Sequence, residues 1–370
     1  MLTLREKIAQ MLICGINGTE IDSASEKLIK SVKVGGIILY AKNTPTARDT
    51  FNLTTTLQEA AAETGNPLII AIDEEHGRVN RIKEGTTRFI DMAAVGAMND
   101  TAYVKEIAAI TSRELITLGI NMNFAPVCDV NVNPDNEVIG DRSFSADPNA
   151  VADMVTAYIK EGTKCGMMLS AKHFPGHGDT SIDSHLDLPR IDKSIEDMEK
   201  CELIPFRAAI YANVPSIMTA HILFPELDDK PATMSRKIIS ELLIDKFWYQ
   251  GVIISDDMCM GAIQKNYGTR DAFTQAINAG VNMFIISNML KHDMNINEVI
   301  EVIENQVIDG AISIKLIDES VEKILKMKSK YIKDVLRENV LRGNSLRQDS
   351  SLKFAERLAA TKRRLSGKSD

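Results

Sequence analysis

The residues best suited to acid–base chemistry in this sequence lie in the segment 172–185. The segment reads Lys-His-Phe-Pro-Gly-His-Gly-Asp-Thr-Ser-Ile-Asp-Ser-His, which places Asp183 and His185 two residues apart. In an extended segment such residues project to the same side. An Asp beside a His orients the ring, fixes its tautomer and raises its pKa. The pair therefore indicates a proton-transfer group that works near neutral pH.

A further carboxylate, Asp256, directly follows the apolar run Val252–Ile254. At the end of a rigid strand its side chain would point into a cleft, which suits a nucleophilic carboxylate. Asp257 is the next residue, so we expect its side chain to point elsewhere and to hydrogen bond to the loop. Together with the Asp183–His185 pair, Asp256 favours acid–base chemistry with a carboxylate nucleophile.

The same histidines leave a metal site open as an alternative. His173 and His177 are four residues apart, and Asp183 and His185 are two apart, so either pair could chelate zinc if the backbone allowed it. Pro175 and the glycines on either side of His177 interrupt any helix, so the first pair need not share a face. We therefore expect no metal and no cofactor.

Eight short apolar runs alternate with helix-like stretches, and most of the runs are continuously apolar. Such runs are typical of strands buried on both faces of a parallel sheet. Eight of them alternating with helices predict an α/β fold, a (β/α)8 TIM-type barrel. An open doubly wound sheet is the alternative, but its G-x-G-x-x-G loop is absent. The predicted strands are Met11–Cys14, Gly36–Tyr40, Leu68–Ile72, Asn121–Val127, Met167–His173, Ser216–Ile222, Val252–Ser255 and Met283–Ser287.

In a barrel of this kind the loops after the strands form one rim, and the unusual polar residues of this chain follow the predicted strands. A ring of fixed donors and acceptors at this rim suits the hydroxyl groups of a sugar, because each buried polar group needs a partner. The residues that would form the ring are Asp73, Arg81, Arg142, Lys172 and His173. Arg78 and Arg81 are three apart, and one of them could bind ligand while the other makes a structural ion pair.

Composition indicates a soluble globular protein, with 370 residues, 44% hydrophobic content and a net charge of −8. Residues 329–370 carry eleven basic and five acidic side chains, which leaves 1–328 with a net charge of −14. We therefore predict a single catalytic barrel over 1–328 and a short basic C-terminal tail over 329–370, helical or partly disordered.

The acidic balance argues against nucleic acid as a partner. No apolar run reaches the length that a membrane-spanning helix needs. The five cysteines are scattered, which suits reduced thiols, and the first residues lack a signal-peptide pattern. We expect a cytoplasmic monomer that binds a carbohydrate.

Segment 172–185 resembles the signature of family 3 glycoside hydrolases of the β-N-acetylhexosaminidase (NagZ-like) type. The segments G-G-I-I-L-Y-A-K-N, D-E-E-H-G-R-V-N-R, N-F-A-P-V-C-D-V, I-G-D-R-S-F and G-V-I-I-S-D-D-M resemble other landmarks of the family, in the expected order. The resemblance covers residues 4–328. The sequence departs from the family pattern at His76, where family members usually have glycine.

The resemblance implies a retaining hydrolase that removes terminal β-linked N-acetylglucosamine from muropeptides or related conjugates, as in peptidoglycan recycling. By motif position, Asp256 forms the glycosyl-enzyme, and Asp183 with His185 is the acid/base dyad in place of the usual second carboxylate. The positions that match the sugar-binding residues are Asp73, Arg81, Arg142, Lys172 and His173. Two alternatives remain at this point: a β-N-acetylglucosaminide phosphorylase that uses the same dyad, and a sugar-binding barrel without catalysis.

Overall fold

The structure is a computed structural model that describes residues 2–180, 188–287, 294–332 and 349–365. Eight parallel strands pair in sequential order and close into a barrel. All eight predicted strands are present, and the TIM-type barrel is confirmed. The strands are β1 (Leu12–Gly15), β2 (Gly36–Leu39), β3 (Ile69–Ile72), β4 (Met122–Asn123), β5 (Met168–Phe174), β6 (Ser216–Thr219), β7 (Val252–Asp257) and β8 (Met283–Ile286).

Helices surround the strands, with two π-helical segments at Leu28–Val32 and Lys237–Lys246 and 3-10 turns at Gly140–Arg142 and Ala232–Met234. The α-helices are α1 (Leu4–Gln10), α2 (Ser23–Lys27), α3 (Ala47–Ala62), α4 (Met92–Ala97), α5 (Thr101–Thr117), α6 (Pro148–Lys164), α7 (Ile195–Lys200), α8 (Leu203–Tyr211), α9 (Gly261–Gln264), α10 (Thr269–Ala279), α11 (Ile296–Ile308), α12 (Ile314–Tyr331) and α13 (Asp349–Leu365).

Local signals account for the ends of the best-patterned helix, which the sequence predicts over Thr101–Leu118. The Asp100 side chain accepts a hydrogen bond from the Ala102 amide at 2.8 Å and caps α5. Gly119, with φ of 80°, ends it in a conformation that favours glycine. The buried face of α5 packs against α6, so the apolar stripe read from the sequence faces the interior.

The single helix predicted over Ser194–Ala212 is wrong, because the structure has α7 and α8 in its place. The chain breaks at Cys201, whose φ and ψ are −136° and −86°. Pro205 explains the break, since its ring would clash with the carbonyl of Cys201 in a continuous helix. The sequence reading also did not predict α12, which runs to Tyr331, three residues past the predicted boundary at 328. The division of the chain at that residue stays a prediction.

In the parts of the chain that are described, no helix is long and apolar enough to cross a membrane.

A close contact between α4 and the loop after β4 fixes the outer wall of the rim. Gly96 on α4 lies so near the Phe144 backbone that a Cβ there would sit 1.8 Å from the Phe144 carbonyl oxygen. Phe144 follows the 3-10 turn that carries Arg142. The position of Arg142 therefore depends on the absence of a side chain at residue 96.

We expect Gly96→Ala to lower the free energy of unfolding by about 1–3 kcal/mol or more, because backbone must move to admit the methyl group. Gly268→Ala is the matched control, since nothing lies within 4 Å of a Cβ there and its φ is −74°. That variant should change stability by about 1 kcal/mol or less. Urea unfolding of both variants tests this, and equal losses would contradict the close contact.

Candidate active site

A buried carboxylate, Glu75, joins two cations at the carboxyl end of the barrel. Its oxygens accept hydrogen bonds from Arg142 Nε at 2.7 Å and Nη2 at 2.9 Å, and Lys172 Nζ lies 2.5 Å away. The Glu75 and Lys172 side chains are 3% and 2% exposed. Burial opposes ionisation of Glu75, but the adjacent charges of Arg142 and Lys172 outweigh it and hold the pKa of Glu75 well below its usual range. The three groups therefore stay charged inside the protein.

Asp73 extends this cluster towards solvent. Its Oδ1 accepts a hydrogen bond from Lys172 Nζ at 2.8 Å, and its Oδ2 lies 3.5 Å from Arg81 Nη2. The Asp73 and Arg81 side chains are 15% and 29% exposed, so they form the accessible edge of the cluster. Four of the five predicted sugar-binding residues thus meet through two carboxylates.

The fifth, His173, is held by Asp129, which is fully buried. Asp129 Oδ2 lies 2.7 Å from His173 Nδ1, and Asp129 Oδ1 accepts the His177 amide at 2.7 Å. Since Nδ1 donates to the carboxylate, Nε2 is left towards the rim, 3.5 Å from Arg142 Nη2. Burial opposes ionisation of Asp129, but His173 and His177 together, with the hydrogen bonds they donate to it, outweigh burial and keep the pKa of Asp129 below its ordinary value. Asp129 therefore sets the tautomer and the direction of the ring.

Glu74 organises the loop after β3, which carries Arg81. Its carboxylate accepts hydrogen bonds from the backbone amides of Arg81 at 3.0 Å and Ile82 at 3.2 Å, and also from the Asn80 side chain. Burial raises the pKa of Glu74 to about 7. These bonds tie residues 80–82 to Glu74, two residues after the end of β3.

The two strand-seven carboxylates have different surroundings. Asp257 is buried and accepts hydrogen bonds from the Ser287 hydroxyl, the Ser287 amide at 3.1 Å and the Cys259 amide at 3.1 Å. Burial raises the pKa of Asp257. Asp256 is only half-buried, and its Oδ1 accepts the Asp257 amide at 2.7 Å, which orients its carboxylate. Asp257 thus supports the loop, as the sequence indicated, whereas the Asp256 side chain is partly accessible.

Other rim residues are structural. Arg78 pairs with Asp141 at 2.7 Å and donates to carbonyls of 137–139, so Arg81 is the arginine of that pair that contacts the charged cluster. His221 is fully buried between the Thr233 hydroxyl at 2.8 Å and the Asp257 carbonyl at 3.1 Å. Asp183 and His185 lie outside the described residues, so their pairing stays a prediction.

Among the residues that are described, no group of three or more His, Cys, Asp or Glu side chains could hold a metal ion.

Sequence reasoning missed Glu75 and Asp129. Glu75 lies three residues after β3 and Asp129 six residues after β4, within the segments quoted above that contain D-E-E-H and V-C-D-V, but neither received a role. The sequence carried only a general signal, because cations at this rim would need acidic partners if they were buried, without indicating which ones.

A parallel (β/α)8 barrel whose charged side chains gather at the carboxyl ends of its strands has the architecture of barrel enzymes. Residues 3–327 match the family model described as the glycosyl hydrolase family 3 N terminal domain. The chain is 37% identical over 340 residues to β-hexosaminidase A of Pseudoalteromonas piscicida, covering 86% of this chain and 57% of that protein. It is 36% identical over 280 residues to a β-hexosaminidase of Tolumonas auensis, covering 75% of this chain and 82% of that one.

A solved structure agrees with these sequence matches. The family 3 β-N-acetylglucosaminidase of Paenibacillus sp. str. FPU-7 superposes with a TM-score of 0.90 at 36% identity, over 98% of this chain and 69% of that one. The chain belongs to glycosyl hydrolase family 3 and, within it, to the β-hexosaminidase group. The resemblance read from the sequence is confirmed. The chain spans little more than half the length of the Pseudoalteromonas relative.

Removing the shared counter-charge should be costly. We expect Glu75→Gln to lower the free energy of unfolding by about 3–5 kcal/mol at pH 7, because Arg142 is left as a buried cation without its partner. The folded-state pKa of Glu75 lies below its unfolded value, so its stabilisation is present above about pH 4.3 and is lost as pH falls. The difference in free energy of unfolding between wild type and Glu75→Gln, measured by urea unfolding, should therefore decrease as the pH falls from about 5 to 3.

Glu161→Gln is the control for Glu75→Gln. Glu161 pairs at 3.3 Å with Lys164, whose side chain is 75% exposed. Its loss should cost about 1 kcal/mol or less. If the two substitutions cost the same, Glu75 is not the buried counter-charge described above.

Proposed function

We propose that the protein is a retaining exo-acting hydrolase that removes terminal β-linked N-acetylglucosamine through a covalent intermediate on Asp256. Asp256 attacks the anomeric carbon as the aglycone leaves with a proton from His185, which Asp183 orients. Water, deprotonated by the same histidine, then releases the sugar from Asp256. The proposed substrate class rests on the names of the relatives, and the proposed residue roles rest on motif position.

The observation that carries the proposal is the contrast between the two adjacent carboxylates of β7. Asp257 is 8% exposed and its oxygens hold the loop through Ser287 and Cys259. Asp256 is half-buried, and its carboxylate Oδ1 accepts the Asp257 backbone amide at 2.7 Å, which orients it. A nucleophile needs a fixed and accessible carboxylate, and Asp256 fits that requirement better than its neighbour.

The charged cluster around Glu75 supports sugar recognition. Lys172 has three donor hydrogens and hydrogen bonds to Asp73 and Glu75, and Asp73 and Arg81 reach solvent at the edge of the cluster. Each sugar hydroxyl can donate to a carboxylate and accept from a cation, so neighbouring groups of opposite sign match a pair of hydroxyls. His173, turned by Asp129, adds its Nε2 to the same ring.

For the aglycone we propose muropeptides or related N-acetylglucosamine conjugates, in peptidoglycan recycling. Comparing turnover of an N-acetylglucosaminyl muropeptide with that of a chitin disaccharide tests this point. A preference for the chitin disaccharide would exclude muropeptides as the substrate, but it would not affect the proposal that a terminal β-linked N-acetylglucosamine is removed.

Asp256→Asn should lower kcat/KM for an aryl β-N-acetylglucosaminide by at least about 10³-fold, because the amide cannot form the glycosyl ester. Its melting temperature should stay near that of the wild type, since Asp256 is not buried. Asp257→Asn is the matched control and should lower the melting temperature. An active Asp256→Asn variant rules out the nucleophile assignment.

A separate assay determines whether water or inorganic phosphate accepts the sugar from the enzyme. Hydrolysis predicts free N-acetylglucosamine at the same rate with and without inorganic phosphate. Formation of the sugar 1-phosphate in phosphate buffer identifies a phosphorylase instead. No turnover of any β-N-acetylglucosaminide by the wild type would leave the sugar-binding barrel as the remaining reading.

A further inference from the structure

The residue at which the chain departs from the family pattern, His76, lies in a confined position beside the charged cluster. It is 4% exposed and directly follows Glu75. Its φ of 70° is in the left-handed region, which side chains other than glycine rarely adopt. Contacts of the imidazole must therefore offset an unfavourable backbone conformation.

Two such contacts hold the ring. His76 Nε2 lies 2.6 Å from the Thr111 hydroxyl on α5. Its ring packs edge-on against Phe89, with centroids 4.8 Å apart and planes at 87°. Burial lowers the pKa of His76 to about 3, so the ring is neutral at pH 7 and acts through packing and its hydrogen bond to Thr111.

Phe89 in turn contacts the C-terminal helix. The centroid of Phe354 on α13 lies 6.1 Å from that of Phe89 at 71°, and Tyr103 on α5 lies 6.2 Å from Phe354. Phe89 and Phe354 are 7% and 9% exposed. We call His76, Phe89 and Phe354 the aromatic stack. It runs from the C-terminal helix to the residue next to Glu75.

Residues next to Phe89 also hydrogen bond to, and pack closely against, the first part of the loop after β3. The Gly77 amide donates to the Phe89 carbonyl at 3.4 Å, and a Cβ on Gly77 would lie 2.9 Å from Asp91 Cα. Arg88 Nε donates to the Asn80 side chain at 3.1 Å. A shift of Phe89 therefore reaches residues 75–80, which precede Arg81.

The C-terminal helix also connects, through a second route, to the Glu75–Arg142 ion pair. Helix α13 packs against α4, and α4 packs against the 3-10 turn that carries Arg142. The helix thus supports the loops that carry both members of the Glu75–Arg142 pair. The docked face is apolar, since Leu358 is fully buried one helical turn after Phe354.

We propose that Phe354 is a positioning residue: through the aromatic stack, the C-terminal helix fixes the loop of Asp73 and Glu75 and thereby sets the affinity of the sugar-binding ring. The kinetic arm of this proposal rests on the proposed function. Phe354 touches no substrate. Its effect falls on binding rather than on the chemical step, because Asp256 and its strand are on a different side of the barrel.

The kinetic test is a double-mutant cycle with an aryl β-N-acetylglucosaminide. Phe354→Ala should raise KM by about three- to tenfold with kcat changed less than about twofold. In the His76→Gly background, which removes the ring next to Glu75, the same substitution should change KM by less than about twofold. Phe354→Tyr keeps the ring and should restore the wild-type KM.

The control for lost stability is Phe273→Leu, in the buried Phe273–Phe284 pair between α10 and β8. It should lower the melting temperature and leave KM unchanged. A Phe354→Ala enzyme with lowered melting temperature and wild-type KM overturns the proposal. Additive effects of the two substitutions overturn the route through His76.

Hydrogen exchange tests the proposal without turnover, so its failure is separable from that of the proposed function. The Glu75 amide donates to the Val79 carbonyl at 3.0 Å and the Thr87 amide to the Glu114 carboxylate at 2.8 Å. The exchange rates of these hydrogen-bonded amides therefore report on the opening of residues 75–89. Phe354→Ala should speed exchange in this segment, and Phe273→Leu should not. Unchanged exchange in Phe354→Ala would overturn the coupling even if the wild type proved inactive on every sugar offered.

Discussion

The site depends on one buried carboxylate between two buried cations. A buried lysine and a buried arginine need an anion beside them, because without one the lysine would lose its proton and the arginine, which stays charged, would destabilise the fold. Glu75 supplies that anion from the loop after β3, to Arg142 from the loop after β4 and to Lys172 on β5. Three successive strand–loop units are thereby joined at one point, and Asp73, Arg81 and His173 take their places around it.

Most of the fold could be predicted from the sequence, because parallel barrel strands are short, continuous apolar runs. All eight were located, although β4 has only two residues, Met122 and Asn123. The errors arose where side-chain chemistry acts against the pattern. Pro205 divides one predicted helix in two, and α12 lay beyond the last predicted strand–helix unit, where no motif directed attention to its apolar stripe.

In the candidate site, the sequence identified the polar residues at the rim better than the residues that support them. Motif position pointed to Lys172 and His173, but their partners Glu75 and Asp129 are distant in sequence and become visible only when the barrel closes. The same holds for the aromatic stack, in which Phe354 lies 278 residues after His76. Pairings of this range depend on tertiary packing, and a single sequence does not encode them as a local pattern.

In the proposed reaction a carboxylate, Asp256, forms a covalent bond to the sugar before water releases it. Two inversions at the anomeric carbon amount to retention, whereas direct attack by water inverts it. Proton NMR of the first product formed from an aryl β-N-acetylglucosaminide, recorded before mutarotation, decides between them. If Asp256 forms the glycosyl-enzyme, the first product is the β-anomer of N-acetylglucosamine, whereas an initial α-anomer shows direct attack by water.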